Sequence, residues 1–229
     1  KIIGHCIVMN NYNKELILKI NPKASIISNF HPIYEIPYMD NSNNSYKVDL
    51  NIKTEKTILF FGLIREYKGL DLLINAIALS RNKIKDLKVL VVGENYESLE
   101  KYHNMIKANN MEDSFIFVNK FVDKDDIKKY FLSSELVVLP YKSASQSGVL
   151  SLAYNFNRPV ITTDVGGLSD YVSDKKSGFI VEPNSEEISK KINMFFDKNL
   201  FETMSKFIKD NKKMFSWESF EKKLKLYEQ

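Results

Sequence analysis

The chain has 229 residues, of which 44% are hydrophobic, so it can bury a sizeable core and form one large α/β domain or one domain with a fragment of another. Its 33 basic and 29 acidic residues are mixed along the length and give a net charge of +4, which argues against a nucleic-acid partner. The single cysteine, Cys6, excludes an intramolecular disulfide, and no apolar run approaches the roughly 20 residues that span a bilayer.

The first part of the chain predicts the end of an α/β unit. Apolar runs predict strands at residues 2–9 and 24–29, separated by a helix at residues 13–20 with Asn13 as its cap. Residues 30–56 contain prolines and a polar run without a sustained period, which is typical of a connecting segment. We therefore predict a remnant of an N-terminal domain with its linker at residues 1–45, and a second domain at residues 46–229. Because Lys1 precedes the first strand directly, we also expect a piece of a longer protein.

Beyond the connecting segment, strands and helices alternate regularly. The strands are apolar on both faces and the helices are amphipathic, which indicates a parallel sheet covered on both sides. Right-handed crossovers then give a doubly wound, Rossmann-like α/β fold. The predicted strands are residues 57–61, 87–92, 114–118, 136–139, 159–161 and 178–181. The predicted helices are residues 69–80, 97–108, 123–132, one that starts near residue 149, then 186–196, 200–213 and 217–227.

A polar loop at residues 142–148 joins the strand at residues 136–139 to the helix that follows. This order places the loop and the first free N–H groups of the helix at the carboxyl edge of the sheet, where the helix dipole favours a phosphate. The candidate binding residues are Ser145, Gln146, Ser147, Gly148 and Val149. Gly148 would let a ligand approach the helix closely, whereas Ser147 alone is explained equally well as an ordinary helix cap.

A second candidate is the turn after the strand at residues 57–61. Gly62 ends the strand, Arg65 and Lys68 follow three residues apart, and Gly69 opens a helix, which would bring backbone and positive charge close to a diphosphate. The alternative is a solvated turn in which Arg65 pairs with Glu66 or another carboxylate, and both interpretations stay open. Neither a dinucleotide-binding glycine motif nor a phosphate loop is present, so the sequence disfavours NAD-dependent and ATP-hydrolysing functions.

The acidic and histidine residues give little support for a metal site. Residues 123–126 resemble an Asp-x-Asp metal clamp superficially, but a better interpretation is that Asp123 caps a helix and the other carboxylates lie in its first turn. His31 is expected to be structural and His103 to lie on the surface, whereas His5 stays a candidate for the cleft. The Gly166-Gly167 pair fits either a close backbone approach or a tight turn.

With these motifs together, the chain resembles the C-terminal, donor-binding half of the GT-B glycosyltransferases of group 1 (glycosyltransferase family 4). The resemblance covers residues 2–229 and rests on residues 60–73, 139–167 and 215–218. It implies two Rossmann-like domains facing a cleft, a UDP- or GDP-linked sugar as donor, transfer with retention of configuration, and no cofactor or metal. It also implies a glycan or lipid-linked acceptor, a role in surface polysaccharide synthesis, and a cytoplasmic location with membrane contact through the N-terminal domain.

The resemblance assigns Lys68 to the diphosphate of the donor. The family arginine that accompanies this lysine falls on Leu63, so Arg65 is a displaced substitute. The two family glutamates fall on Ser145 and Ala153, which leaves the ribose contact unassigned and the function dependent on Lys68, Arg65 and backbone N–H groups. The nucleotide base is expected near residues 92–94 and 119–122, through backbone contacts that include Asn119 and Val122.

Two alternatives remain at this point. The loss of both carboxylates would also suit a module that binds a nucleotide without transferring a sugar. An epimerase of similar fold would need a glutamate where Ser145 or Ala153 stands. By resemblance, residues 2–34 are the end of the acceptor domain, Phe215 and Trp217 are packing residues, and the chain alone is expected to bind nucleotide weakly and to be inactive.

Overall fold

The computed structural model describes residues 5–38, 43–96 and 98–225, with the side chains of His5, Asn43 and Asn44 left out. The predicted strand at residues 2–9 and the predicted helix at residues 217–227 therefore extend beyond the described residues. Glu97, which was predicted to start a helix, and the proposed cleft-facing side chain of His5 also lie outside them.

The N-terminal part forms the predicted β-α-β unit. Strands β1 (His5–Val8) and β2 (Ser25–Ser28) pair in parallel, and helix α1 (Asn11–Ile20) joins them. Asn10, rather than Asn13, caps this helix, because its extended backbone lets the side-chain Oδ1 accept a hydrogen bond from the Asn13 N–H at 2.8 Å.

The segment predicted as an irregular connection contains a helix, α2 (Asn43–Asp49). Its sequence is rich in asparagine and serine, which are poor helix formers, so no local signal announces it. The helix is held by Lys47, whose contacts are to residues 54, 55 and 135. The division into residues 1–45 and 46–229 stays a prediction.

The larger part of the chain forms an α/β unit around a six-stranded, entirely parallel sheet. The strand order is β5-β4-β3-β6-β7-β8, which confirms the predicted doubly wound fold. The strands are β3 (Thr57–Phe61), β4 (Lys88–Val92), β5 (Phe115–Val118), β6 (Leu136–Leu139), β7 (Val160–Thr163) and β8 (Gly178–Val181). The helices are α3 (Leu70–Ser80), α4 (Glu100–Ala108), α5 (Lys124–Leu132), α6 (Gly148–Asn155), α7 (Ser185–Asp197), α8 (Phe201–Asn211) and α9 (Trp217–Lys225).

Two hydrophobic cores lie on opposite faces of this sheet. Successive residues of β3 alternate between them: Ile58 and Phe60 pack on one face, and Leu59 and Phe61 on the other. Helices α3, α4 and α7 cover the first face, and α5 and α6 cover the second. Burial on both faces is the reason that these strands are continuously apolar in sequence.

A buried charge network at the amino-terminal edge of the sheet fixes α2. The Lys47 ammonium donates to Glu135 Oε1 at 2.6 Å and to Glu55 Oε2 at 3.0 Å, and Glu135 Oε2 accepts from the Thr57 N–H at 2.9 Å. Burial raises the pKa of Glu135 to about 7, against the opposing pull of Lys47. The protonated carboxyl is therefore favoured in the fold, so the contribution of Glu135 to stability is greatest below its ordinary pKa of 4.5 and declines as the pH rises through about 7.

Replacing Lys47 with methionine should destabilise the chain by about 3 kcal/mol at about pH 8, because the ionised Glu135 would be buried without its counter-charge. The loss should be smaller at about pH 5.5, since a carboxyl with a pKa of about 7 is mostly protonated there and needs no ammonium partner. Urea denaturation at the two pH values measures both effects.

Glu55→Gln is the matched control, because it removes the other ion pair of Lys47 at a side chain that is 83% exposed. It should cost less than about 1 kcal/mol at either pH. Equal losses for Lys47→Met at both pH values would show that helix packing, and not the buried charge, holds α2.

Candidate functional site

The strand order locates the crevice where a doubly wound sheet binds its ligand. From β3 the chain builds the sheet outward in one direction through β4 and β5, and then returns to place β6 on the other side of β3. Ligands of such sheets bind beyond the carboxyl ends of the strands at this reversal. Here these ends are Phe61 and Leu139, so the two loops singled out from the sequence are neighbours in space.

The loops after β3 and β6 touch each other tightly. The Lys142 N–H donates to the Tyr67 carbonyl at 2.7 Å. A Cβ added to Gly69 would lie 1.9 Å from the Pro140 oxygen, and the φ of Gly69 is +70°, so this position requires glycine. The contact brings the short 3-10 turn Glu66–Lys68 against the start of the loop that leads to α6.

Lys68 lies at the centre of this crevice with Gly62 and Val149. A Cβ on Gly62 would lie 2.7 Å from Lys68 Nζ and 3.5 Å from Val149 Cγ2, so the glycine makes room for the ammonium beside the first turn of α6. Lys68 is only 8% exposed, and its Nζ lies 5.4 Å from the centroid of the Tyr141 ring. In the described part of the chain this ammonium makes no hydrogen bond or ion pair.

The environment of Lys68 makes it a poised cation. Burial, and to a smaller extent the nearby charge of Arg65, together lower its pKa from 10.5 to about 8. At neutral pH the side chain is still mostly protonated. A buried positive charge without a partner is unfavourable, so an anion that entered the crevice would gain from neutralising it.

Arg65 lies farther out. Its guanidinium stacks over the Tyr96 ring at 5.8 Å from the centroid, and it pairs with no carboxylate among the described residues. Glu66, its suggested partner, is 3.9 Å from Lys101 instead. The interpretation of Arg65 and Glu66 as an ion pair is therefore wrong, and Arg65 remains available near Lys68.

The expected capping role of Ser147 is also wrong. Ser147 occupies the cap position of α6, but its hydroxyl makes no capping hydrogen bond and lies 3.2 Å from the Tyr141 hydroxyl. The N–H groups of the first helical turn, at Gly148 and Val149, therefore have no side-chain cap and can serve as donors to an anion.

The space beside Gly148 is filled by the protein itself. A Cβ on Gly148 would lie 3.2 Å from a ring carbon of Tyr34, which belongs to the segment between β2 and α2. The prediction that this glycine opens the helix to a ligand on its Cα side is therefore wrong, since the ring of Tyr34 packs there. The Tyr34 ring does not affect the N–H groups of the first turn of α6, which point along the helix axis.

The Gly166-Gly167 pair likewise accommodates the 143–147 loop. A Cβ on Gly166 would lie 1.5 Å from the Ala144 oxygen, and one on Gly167 would lie 2.6 Å from the Ser145 oxygen. Both interpretations left open by the sequence are observed: residues 165–168 form a tight turn, in which the Leu168 N–H donates to the Val165 carbonyl at 3.3 Å, and the 143–147 loop approaches the glycine backbone closely.

Two further predicted residues, Gln146 and Ser147, line a small cavity behind the 143–147 loop together with His31 and Tyr171. At about 20 Å³ it has room for little more than one water molecule. A much larger cavity of about 720 Å³ opens at the amino-terminal edge of the sheet, near Lys88, whereas Lys68 lies at the carboxyl edge.

The residues expected near the nucleotide base lie at the neighbouring strand ends. Asn119 accepts a hydrogen bond from the Asn95 N–H at 3.0 Å, and the Ile64 N–H donates to the Glu94 carbonyl at 3.0 Å, so the loops after β3, β4 and β5 are tied together. Val122 is 9% exposed and packs in a core, so its side chain is structural and only its backbone could serve a ligand.

The remaining candidates have structural surroundings. The His31 N–H donates to the Tyr171 hydroxyl at 2.8 Å, and His103 is exposed against Phe117, as expected for both histidines. Asp123 occupies the cap position of α5 but makes no side-chain capping bond, which corrects the prediction. Within the described residues there is no group of three or more metal-binding side chains, and no helix has the length and apolarity of a bilayer span.

The sequence analysis missed Tyr141, Tyr34 and Asn10. Tyr141 follows the carboxyl end of β6 by two residues, a position that could have marked it. Tyr34 and Asn10 reach the site from distant parts of the chain, so only the tertiary structure brings them there.

The comparisons with known proteins agree on the family of this chain. The chain matches the family model of glycosyl transferases, group 1, over residues 42–214. An uncharacterised glycosyltransferase of Haemophilus influenzae is 30% identical over 144 residues, which are 62% of this chain and 40% of that protein. A D-inositol 3-phosphate glycosyltransferase of Arthrobacter is 31% identical over 128 residues, 55% of this chain and 30% of that protein. The chain spans less than half the length of these curated relatives.

Comparison with solved structures leads to the same conclusion for the fold. HepE of Anabaena, solved with UDP and also with UDP-glucose, aligns with 98% of this chain and 63% of its own length, with a TM-score of 0.83 at 17% identity in the UDP complex. This likeness confirms the predicted GT-B, Rossmann-like fold. Because the family model covers well over half of the sequence, the chain belongs to the group 1 glycosyltransferases.

Proposed function

We propose that this chain is the donor-binding part of a retaining glycosyltransferase that transfers a sugar from a nucleotide-diphosphate donor to a glycan or lipid-linked acceptor. The observation that carries the proposal is the unpartnered Lys68 ammonium, held over Gly62 beside the uncapped first turn of α6. A diphosphate would accept hydrogen bonds from both. Since HepE was solved with UDP and UDP-glucose, UDP-linked sugars are the first donors to test.

The proposed chemistry is stabilisation of a leaving group. As the bond between sugar and diphosphate breaks, negative charge grows on the diphosphate. Lys68, Arg65 and the N–H groups of Ser147 and Gly148 would stabilise that charge, and the acceptor hydroxyl would attack from the same face and give its proton to the departing diphosphate. One preorganised donor of this kind lowers the activation free energy by about 3 kcal/mol. The proposal requires no metal ion, because these cationic and N–H groups take the role of a counter-ion.

Other parts of the donor are bound without the family carboxylates. Ser145 can offer only a hydroxyl and backbone groups, and Ala153 is fully buried in α6, so it does not meet the ribose. Base recognition would fall to backbone groups near Asn119 and Val122. We further propose a role in surface polysaccharide synthesis in the cytoplasm, with contact to the inner face of the membrane through an N-terminal acceptor domain.

A second candidate is a nucleotide-binding module without transferase activity. The substitution of both family glutamates, at Ser145 and Ala153, favours it. Calorimetry with UDP, GDP and their sugars, followed by donor hydrolysis in the full-length protein, distinguishes the two functions. Binding without turnover would favour the module.

Replacing Lys68 with alanine should reduce turnover of the full-length enzyme at least about a hundredfold, because the leaving diphosphate loses its buried counter-charge. Steady-state kinetics at saturating donor measure this loss. Lys190→Ala, at an exposed lysine whose partner is Glu187 on α7, is the control and should leave turnover unchanged. Unaltered turnover in the Lys68 variant would remove this residue from the mechanism.

The affinity for UDP should fall as the pH rises above about 8. The pKa of Lys68 in the free protein is about 8, against 10.5 for an ordinary lysine, so the ammonium loses its proton as the pH rises through this value, and only the charged form attracts the diphosphate. Titration calorimetry between about pH 7 and pH 10 measures the decline. Lys68→Arg should bind UDP with little pH dependence in this range, since arginine stays protonated. A flat profile in the wild type would contradict the proposed contact.

A further inference from the structure

Asn10 connects the N-terminal β-α-β unit to the 143–147 loop. Its Nδ2 donates to the Ser145 carbonyl at 2.7 Å across 135 residues of sequence, and its Oδ1 accepts from the Asn13 N–H. The residue is only 5% exposed. Both ends of one small, buried amide are thus engaged, one in its own helix and one in the loop of the candidate site.

The fit around this side chain is tight. A Cβ on Gly167 would lie 2.4 Å from both Cγ and Nδ2 of Asn10, so the amide occupies the space that this glycine leaves. The Ser145 carbonyl and the Asn10 amide therefore pack side by side against Gly167. The Ala144 carbonyl is in similar close contact with Gly166. The direction of the Ser145 carbonyl is fixed by contacts from two separate parts of the chain.

Fixing this carbonyl also fixes a donor. A trans peptide is planar, and its C=O and N–H point in opposite directions. With the Ser145 oxygen bonded to Asn10, the Gln146 N–H must point away from the N-terminal unit. This N–H donates to no described atom, and it directly precedes the free N–H groups at the start of α6.

We propose that Asn10 is a positioning residue, which orients the Ser145–Gln146 peptide so that the Gln146 N–H faces the donor substrate. This inference rests on the proposed function, because the ligand it serves is the nucleotide-diphosphate sugar. A capping role alone does not account for the contact, since a cap needs only an acceptor oxygen and serine or aspartate supplies one equally well. The Nδ2 donor is specific to asparagine at this position.

The chain contains an internal comparison for this distinction. Asn184 caps α7 through the same geometry, with Oδ1 accepting from the Glu187 N–H at 2.8 Å, and its side chain makes no hydrogen bond to the 143–147 loop in the described structure. Asn184→Asp therefore keeps a cap and changes nothing at the site. Asn10→Asp keeps a cap but turns an oxygen toward the Ser145 carbonyl, and Asn10→Ser keeps a cap without adding a charge.

Variants of Asn10 should still fold, because other bonds hold the same turn. The Asn11 N–H donates to Asp170 Oδ2 at 2.6 Å, and the Tyr171 hydroxyl donates to the Met9 carbonyl. These contacts flank Asn10 on both sides and do not depend on its side chain. The N-terminal unit is therefore expected to stay in place while the loop loses one constraint.

The test combines hydrogen exchange with binding of UDP-glucose, in the full-length protein and its three variants. For Asn10→Ser and Asn10→Asp, amide exchange in residues 142–150 should speed up about five- to tenfold, while α1 stays protected. The dissociation constant for UDP-glucose should rise about five- to tenfold in both variants, because the Ser145–Gln146 peptide loses the hydrogen bond that orients it. Asn184→Asp should match the wild type in both measurements.

Three outcomes would overturn the inference. Unchanged exchange at residues 142–150 in both Asn10 variants would make Asn10 a helix cap only. Faster exchange with unchanged affinity would show that the loop is held for a reason other than the donor. Failure of the wild type to bind UDP-glucose or any other UDP- or GDP-linked sugar would instead overturn the proposed function, and the substrate role of Asn10 with it.

Discussion

The contact between the loops that leave β3 and β6 governs the rest of this structure. The two strands pair over only a short register, Ile58 with Leu136 and Leu59 with Val137, before their loops turn toward each other. The space between the loops is too small for a side chain at Gly69, and it buries the Lys68 ammonium, which makes no hydrogen bond or ion pair with the described residues. The packing of these two loops thus shields the Lys68 ammonium from water, so an anionic ligand would gain from neutralising it.

Much of the fold was predictable because its signals are local. The strands of the parallel sheet are apolar on both faces, and β6 and β8 begin and end where the sequence indicated. Helix α2 was missed because its stability is tertiary: Lys47 bonds to Glu135, which is 88 residues away and in a buried position. Asn10 was missed as a cap for a different, local reason, since the neighbouring sequence offers several asparagines of equal propensity.

The sequence indicated the position of Lys68 beside Gly62, but not which groups would pack against Gly148, Gly166 and Gly167. Lys68 and Gly62 lie in one loop, so their spacing is visible in the sequence. What fills the space beside a glycine is decided by distant segments. Tyr34 packs on Gly148, and the 143–147 loop packs on Gly166 and Gly167, so the sequence could indicate close approach without naming the approaching group.

Residues 34–36, which follow β2, run along α6 and are hydrogen-bonded to it at two points one helical turn apart. The Tyr34 N–H donates to Ser151 Oγ, and Ile36 exchanges two hydrogen bonds with the Asn155 side chain one turn later. Helix α6 therefore makes two kinds of contact. Its first turn faces the crevice, and its side is hydrogen-bonded to the residues that follow the N-terminal unit. A small rotation of this helix would displace both the N–H groups of its first turn and its hydrogen bonds to residues 34–36.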